Sequence, residues 1–522
     1  MLGDYYEEAA RRELGSFDEE PSLVAIQCCL ILCIYEIGEG AEHRAWLRLG
    51  HAAKLAQLLQ LHKQDANFGL MDWGKSAESN SAVINESKRR TFWCCFCLER
   101  LFANGRDRLA TFAVEDITTP LPQSEEDFIY GRLTATCKLS CPIAGNARQC
   151  EHPLKAEPIA THTIRIVQVL GHIITWNGRG GRHVDARAPW LPDMPFQELD
   201  SSLRQWVKSV PLHLTQTPQN TSAIIAIGQG RSWALMWMVY HQARAYLHRE
   251  YLPFIPKIGY DPVRGPCDGP KLLIDDPAVA TQFWRSSIAA MIESANAISD
   301  LYQIMRTRDL AASAYPTPGF GLLAAASIHV QLSIFRWESC KPFSVGKSSL
   351  DYLKQDMEGI NHVGQNWSLP VHWIRQISLY YKLNLLIKRS WSTKSPGAEP
   401  TPPMDIQRIK DGIMNYVRQI GPSDRDARDA NLKPDFDFEG WLSALQSSAG
   451  EGSTDSLEEP DHQDGDGVSS AGNVATSPVA PAMAPSAWHE YDQAFFDNLT
   501  GGFHNLDSVA TTSLSDWNLL PW

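Results

Sequence analysis

The sequence predicts an all-α fold, a large multi-helix body followed by a disordered acidic tail. Three observations predict it. Apolar residues recur at three- and four-residue spacing through most of the first 390 or so positions. No series of alternating β-branched strands with tight turn signals occurs, and no strand–helix–strand rhythm. Charge is unevenly placed: the net charge is −13, yet residues 435–522 hold 15 acidic residues and no Lys or Arg. The remainder carries 47 basic against 45 acidic residues, so the body is electrostatically ordinary and offers no strongly basic face to nucleic acid. With 522 residues, 43% hydrophobic and 20% charged, the chain is long enough for a large core and has a globular composition.

Taken in order, Tyr5 to Leu14 suits a first helix, ended near Gly15. Asp18-Glu19-Glu20-Pro21-Ser22 reads as a helix entry, with acids at the positive end of the macrodipole. Leu23 to Ile37 is apolar on nearly every side and is predicted as a central buried helix, broken by Gly38 to Gly40. It contains Gln27 and Glu36 and falls short of a membrane span. The helix from Trp46 to His62 places Leu47, Ala52, Leu55, Leu58 and Leu59 near one face, while Ala52, Ala53 and Ala56 permit close approach of a neighbour.

A loop with Asn67, Gly69 and Gly74 leads to a helix opened by Glu86, which runs from charge into Phe92-Trp93-Cys94-Cys95-Phe96-Cys97 and back to Glu99-Arg100. After Asn104-Gly105 the chain turns irregular, and Asp116 to Pro122 is too proline-bound for helix. Further helices are predicted over Thr161–Trp176, Phe196–Val210 (stopped by Pro211), Ser232–Tyr251, Phe283–Met305, Leu322–Trp337, Trp373–Lys388 and Met404–Ile420. Thr393 to Pro403 reads as an exposed loop. Residues 447–485 have almost no bulky apolar side chain and cannot bury enough surface to offset ordering entropy. The organisation expected is a helical body over 1–435 and a disordered tail over 436–522.

The 11 cysteines are odd in number and fall mostly in three groups, Cys28/Cys29/Cys33, Cys94/Cys95/Cys97 and Cys137/Cys141/Cys150. The first two lie in apolar helical stretches, where a free thiol behaves as a small hydrophobe; that usage points to a reducing compartment. The acidic N-terminus lacks a signal-peptide core, so an intracellular, soluble protein is expected, with no membrane partner. Cys137, Cys141 and Cys150 with His152 form the one loop cluster with a conceivable ligand count, but scattered reduced cysteines are the expectation and no metal site is assigned. Cys94, Cys95 and Cys97 point in different directions round their helix.

Catalytic signals are thin. No Gly-x-Ser-x-Gly elbow, His-Glu-x-x-His pair or phosphate-binding glycine loop occurs, and His51, His62, His241 and His248 read as packing or surface residues. No catalytic residue is assigned and no enzyme is expected. Lys88-Arg89-Arg90, the densest basic run, reads as a solvated helix end pairing with Glu86 at i,i+4, with a nuclear import signal or phosphate contact as the alternative. The tail sets anchors among acids: Phe495, Phe496 and Leu499 form one i, i+3, i+4 set, and Leu514, Trp517 and Leu520 another. Such a segment stays unfolded alone and lays its anchors into a partner groove, as an activation-type segment does.

Several of these segments share an order. A helix from Trp46 through its alanines ends in Leu61-His62. Then come Glu86, Arg89-Arg90 and Phe92-Trp93, then Glu99-Arg100, then Gly105-Arg106-Asp107-Arg108, and finally Asp116 to Pro122. In this order they resemble the fungal-specific transcription factor domain, the xylanolytic-activator-type regulatory region of binuclear zinc-cluster transcription factors. The resemblance is most specific over residues 1–130 and loose to about 390. Aspartate is usual where Glu99 stands, a departure that bears on local pairing. The resemblance implies an all-helical regulatory domain, a nuclear setting and control of RNA polymerase II transcription.

In that family zinc and sequence-specific DNA binding belong to a module preceding this region. It needs six cysteines in two closely spaced Cys-x-x-Cys sets, and this chain has no pair of such sets. Zinc is therefore expected only in a missing N-terminal module. The chain is read either as a fragment or as a member that lost that module, and no DNA-binding residue is assigned. The partners implied are the transcription machinery or co-activators through the acidic tail, and DNA only if an upstream module exists. The reading leaves room for a small-molecule effector and for a homodimer. The alternative is a co-regulator unable to bind DNA, acting through protein–protein contacts.

Overall fold

The computed structural model describes residues 21–63, 79–102, 110–140 except 133 and 135, 157–253, 256–308 except 269, 310, 315–343 and 346–392, together with Tyr6, Ala9, Ala10 and Arg12. Those last four are helical, in the segment expected as the first helix. The expected loop at 393–403, the helix at 404–420 and the whole acidic tail lie outside the described residues, as does Gly105.

Helix α1 (Leu23–Gly38) starts where the Ser22 hydroxyl accepts the amide of Ala25 at 3.2 Å. It stops at the expected glycines, with Gly40 at φ +73°. Its one buried carboxylate, Glu36, is held by Arg48 through two bonds, Nε to Oε2 at 2.9 Å and a terminal nitrogen to Oε1 at 2.7 Å. Arg48 belongs to α2 (Glu42–Leu58), so the charge that interrupts the apolar run staples two helices.

The buried side of α2 is Ala45, Leu49, Ala52, Ala53 and Ala56. Leu47 and Leu58, expected on the inner face, are 67% and 64% exposed. The small residues win because they let α1 and α2 approach closely, and that rotation turns the two leucines outward. Leu55 is buried, Leu59 half-buried and Trp46 exposed.

Helix α3 (Ser79–Phe102) begins a full turn or more before Glu86 and buries every residue from Thr91 to Arg100. Gln27 of α1 donates to Thr91 at 3.0 Å across their interface. From residue 110 an irregular stretch leads to a short helix α4 (Glu125–Ile129), capped by Ser124. Helices α5 (Ile159–Gly178), α6 (Pro195–Ser209), α7 (Pro218–Ala226) and α8 (Gly230–Arg249) follow. Indoles of Trp233 and Trp237 both donate to the carbonyl of Leu214, at 2.7 and 2.9 Å, and tie α8 to the turn before α7.

The last four helices are α9 (Pro277–Thr307), α10 (Thr317–Phe335), α11 (Ser349–Gly364) and α12 (Leu369–Ser392). Of the 19 residues of α10 all but Thr317 and Ser333 are buried. It is long and apolar enough to cross a membrane, with mean hydropathy 1.4, but it is wrapped by α8, α9, α11 and α12. The central position expected for α1 therefore belongs to α10. Helix α1 keeps an outer side, where Val24 is 61% exposed.

Helices α7 and α11 were not expected from the pattern. Helix α11 opens on a reciprocal capping box between Ser348 and Asp351 and turns Tyr352, Leu353, Asp356, Met357, Ile360 and Val363 inward. Asp356 in the middle of that face masks the periodicity. Among the described residues the one strand-like pairing is an isolated bridge between Arg187 and Leu273, so the fold is all-α.

Candidate functional site

Residues of the recognised order come together on α3 and the stretch it holds down, residues 110–123. Glu86, 2% exposed, accepts from Arg89 at 2.6 Å, from Arg90 Nε at 3.1 Å and from the Gln123 amide at 3.0 Å. Arg90 reaches on to Glu125 at 2.6 Å and to the Gln123 carbonyl at 3.3 Å, and its guanidinium lies 4.2 Å over the Phe128 ring. Burial pushes Glu86 above the ordinary carboxylate value and Arg89 below the ordinary guanidinium value, so desolvation outweighs pairing for both. The expected i,i+4 pair is present, but this helix end is not solvated. Arg89 and Arg90 are committed to the fold, and only Lys88 of the basic run is exposed.

One turn further, Phe92 and Trp93 meet edge to face at 5.1 Å, and the Trp93 indole donates to the Pro120 carbonyl at 2.7 Å. Glu99 takes the amides of Thr111 and Phe112. Arg100 donates to the Phe112 carbonyl at 2.6 Å and to Gln168 Oε1 on α5 at 3.0 Å. Gly171 makes room for it: a Cβ there would stand 2.9 Å from Arg100 Cδ. Glutamate at position 99 thus holds two backbone amides besides its neighbour Arg100, which lies at 3.3 Å. The His62 carbonyl accepts from Thr118 and Thr119 at 2.9 and 3.1 Å, which pins the other end of the stretch. Leu61 and Pro122 are buried, Asp116 is exposed on a 3-10 turn, and Trp46 stands apart on α2.

The arrangement is a clamp whose charges are compensated, so it holds shape rather than moves protons. Its partners Phe112, Gln123, Glu125, Phe128 and Gln168 gave no signal in the sequence; they lie up to 68 positions from the arginines they serve.

Beside the clamp opens a cleft of about 360 Å³. Its walls come from the start of α1 (Ser22, Leu23), the end of α2 (Gln60, Lys63), α3 (Asn85, Lys88, Arg89) and Thr119-Pro120. Gln60 has φ +53°, the left-handed region, and closes α2 with Leu61 N bonded to Ala56 O at 2.9 Å. Glycine is the usual occupant of such a position.

A buried polar cluster elsewhere needs separate comment. His329 Nδ1 meets Asp356 Oδ2 at 2.6 Å and its Nε2 meets Asn296 Oδ1 at 3.0 Å, while Ser299 donates to Asp356 Oδ1. The residue types match a hydrolytic triad but the order does not, since Ser299 contacts the carboxylate and not the imidazole. His329, Asp356 and Ser299 are all 0% exposed, so the cluster cross-links α9, α10 and α11 away from any substrate. His241 and His248 are buried as well, with His241 pushed down to about 3 by burial and bonded to Gln216 at 2.9 Å. His51 is half-buried on α2.

The one Cys-x-x-Cys spacing of the chain, Cys94 to Cys97, lies inside α3 with its thiols buried. Among the described residues no three of His, Cys, Asp and Glu converge to hold a metal ion; Cys141, Cys150 and His152 lie outside them.

Residues 5–206 match the fungal specific transcription factor domain, which contains the clamp and the cleft. An uncharacterized transcriptional regulatory protein of Schizosaccharomyces pombe is 27% identical over 268 residues, covering 49% of this chain and 38% of the relative. A second from the same organism is 26% identical over 254 residues, 48% of this chain and 26% of the relative. The Zn(2)-C6 fungal-type transcription factor FTF1c of Fusarium oxysporum f. sp. lycopersici is 28% identical over 224 residues, 42% and 24%. The chain thus spans well under half the length of these relatives. No solved structure matches it.

Proposed function

We propose that this chain is the regulatory and activating portion of a regulator of RNA polymerase II transcription, acting in a fungal nucleus. The observation that carries the reading is that the matched domain brings its recognised residues Glu86, Arg89, Arg90, Trp93, Glu99 and Arg100 into one buried clamp. Relatives whose names describe transcriptional regulation support it. In this reading the helical body spans 1–435, and the acidic tail, 436–522, recruits the transcription machinery or a co-activator through Phe495, Phe496, Leu499, Leu514, Trp517 and Leu520. The body responds to a small effector and restrains the tail without it. A Zn(2)-C6 site of the kind named for the Fusarium relative is assigned to no residue of this chain, because the paired cysteine sets are lacking.

The test fuses the full chain to a heterologous DNA-binding module above a reporter gene in yeast. Reporter output should rise over the module alone. Alanine at Phe495, Phe496, Trp517 and Leu520 should return it to that baseline. Output that ignores all four substitutions would remove the tail from the mechanism, and output at baseline for the intact fusion would remove activation altogether.

A further inference from the structure

We propose that the cleft between α1, α2 and α3 binds a small organic oxyanion, a carboxylate or phosphate carried on an apolar body. The inference deepens the effector part of the preceding reading by giving it a place and a chemistry. Among the described residues that line the cleft, three are cationic, Lys63, Lys88 and the Glu86-paired Arg89, and none is a carboxylate. In a chain whose body balances 47 basic against 45 acidic residues, that one-sidedness is local. It has a structural cause. Glu86, buried on α3, is already taken by Arg89, Arg90 and the Gln123 amide. Lys63 and Lys88 make no ion pair among the described residues.

Two further features favour a ligand over bare solvent. Leu23, Leu59, Leu61 and Pro120 give the cleft an apolar floor, and its 360 Å³ is within the size of small-molecule sites. Gln60 stands on the rim with a backbone that favours glycine, and backbone strain of this kind concentrates where a side chain is needed. An oxyanion seated between Lys63 and Lys88, its apolar part on the leucines, uses all of these at once. It would bridge the end of α2 to α3 beside the clamp.

The experiment uses the purified 522-residue chain, with phenyl phosphate as the probe and benzyl alcohol as its uncharged match, followed by calorimetric titration in 150 mM salt, about the physiological ionic strength. Phenyl phosphate should bind and raise Tm. The exposed-lysine pair Lys63→Gln/Lys88→Gln should weaken it at least about tenfold, or roughly 1.4 kcal/mol, with the ligand-free Tm unchanged. Gln60→Gly should raise the ligand-free Tm, by relieving the left-handed backbone, while weakening binding.

Absence of phenyl phosphate binding at millimolar concentration overturns the proposal. So does equal binding by the double-lysine variant, which would place the anion elsewhere, or equal binding of benzyl alcohol, which would make the site merely apolar. None of these results touches the reporter assay. A fusion that activates without binding phenyl phosphate would therefore retire the cleft and leave the transcriptional reading standing.

Discussion

Gly38 at the end of α1 lies flat against the indole of Trp367, so close that a methyl group on its Cα would stand 1.9 Å from the ring. Tyr35 meets the same ring edge to face at 6.1 Å, and Ser368 donates to Glu39 at 2.9 Å. The junction between α11 and α12 thereby seats on the end of α1, more than 300 residues earlier. Gly38→Ala should cost about 1–3 kcal/mol through overpacking. Urea unfolding of Gly38→Ala with and without Trp367→Leu checks it: the smaller partner should recover part of the loss, and two additive effects would mean that the ring does not set the tolerance.

Removing one side of the Glu86–Arg89 pair strands the other in a site where Arg89 is only 7% exposed. Glu86→Ala should destabilise by about 3–5 kcal/mol, whereas Glu86→Met with Arg89→Met should cost much less. Chemical denaturation of the single and double variants decides it. A double variant as unstable as the single one would mean that shape, and not stranded charge, dominates.

Glu250 is pushed up to about 7 by burial, against the opposing pull of the Arg182 amide at 3.2 Å. A carboxyl held above its ordinary 4.5 contributes stability that is complete below pH 4.5 and is lost as pH rises through 7. Glu250→Gln should therefore match the parent near pH 4.5 and exceed it at pH 8, by roughly 3 kcal/mol. Thermal melts of both at the two pH values measure the difference. A gap that stays constant with pH would show that Glu250 ionises freely in the folded protein.

Burial holds the thiols of Cys33, Cys95 and Cys97 well above the ordinary range, which makes them inert, while Cys28 and Cys267 are only half-buried. Among the cysteines of the described residues, iodoacetamide labelling of the native chain at pH 8, read by peptide mass spectrometry, should modify Cys28 and Cys267 first and spare the α3 thiols. Early labelling of Cys95 would mean that α1 and α3 separate readily.

Much of the helical layout is legible because periodicity survives in single elements. Leu23–Gly38, Pro195–Ser209 and Gly230–Arg249 end within a few residues of where glycine, proline or loss of pattern places their limits. What hides is relational. Nothing in the run from Trp46 to His62 tells that alanines outrank leucines for the inner face, because close approach depends on the partner helix as well. Asp356 disguises α11 by standing in its apolar stripe, paired to a histidine on α10. The clamp was visible as a set of residues, but Arg100 meeting Gln168 is a pairing across 68 positions that one sequence does not print. Gln60 carried no signal, since its residue type disguises a left-handed backbone.

The enclosure of α10 has a consequence for how the chain is made. A ribosome releases the segment matched to the family, residues 5–206, before it has synthesised α8, the partner of α5, and long before α10 and Trp367 emerge. During that interval the nascent chain displays apolar surfaces that its later half will cover. The boundary of the family match is then not a boundary of folding. A fragment cut there should need chaperone help that the longer chain outgrows by completing itself.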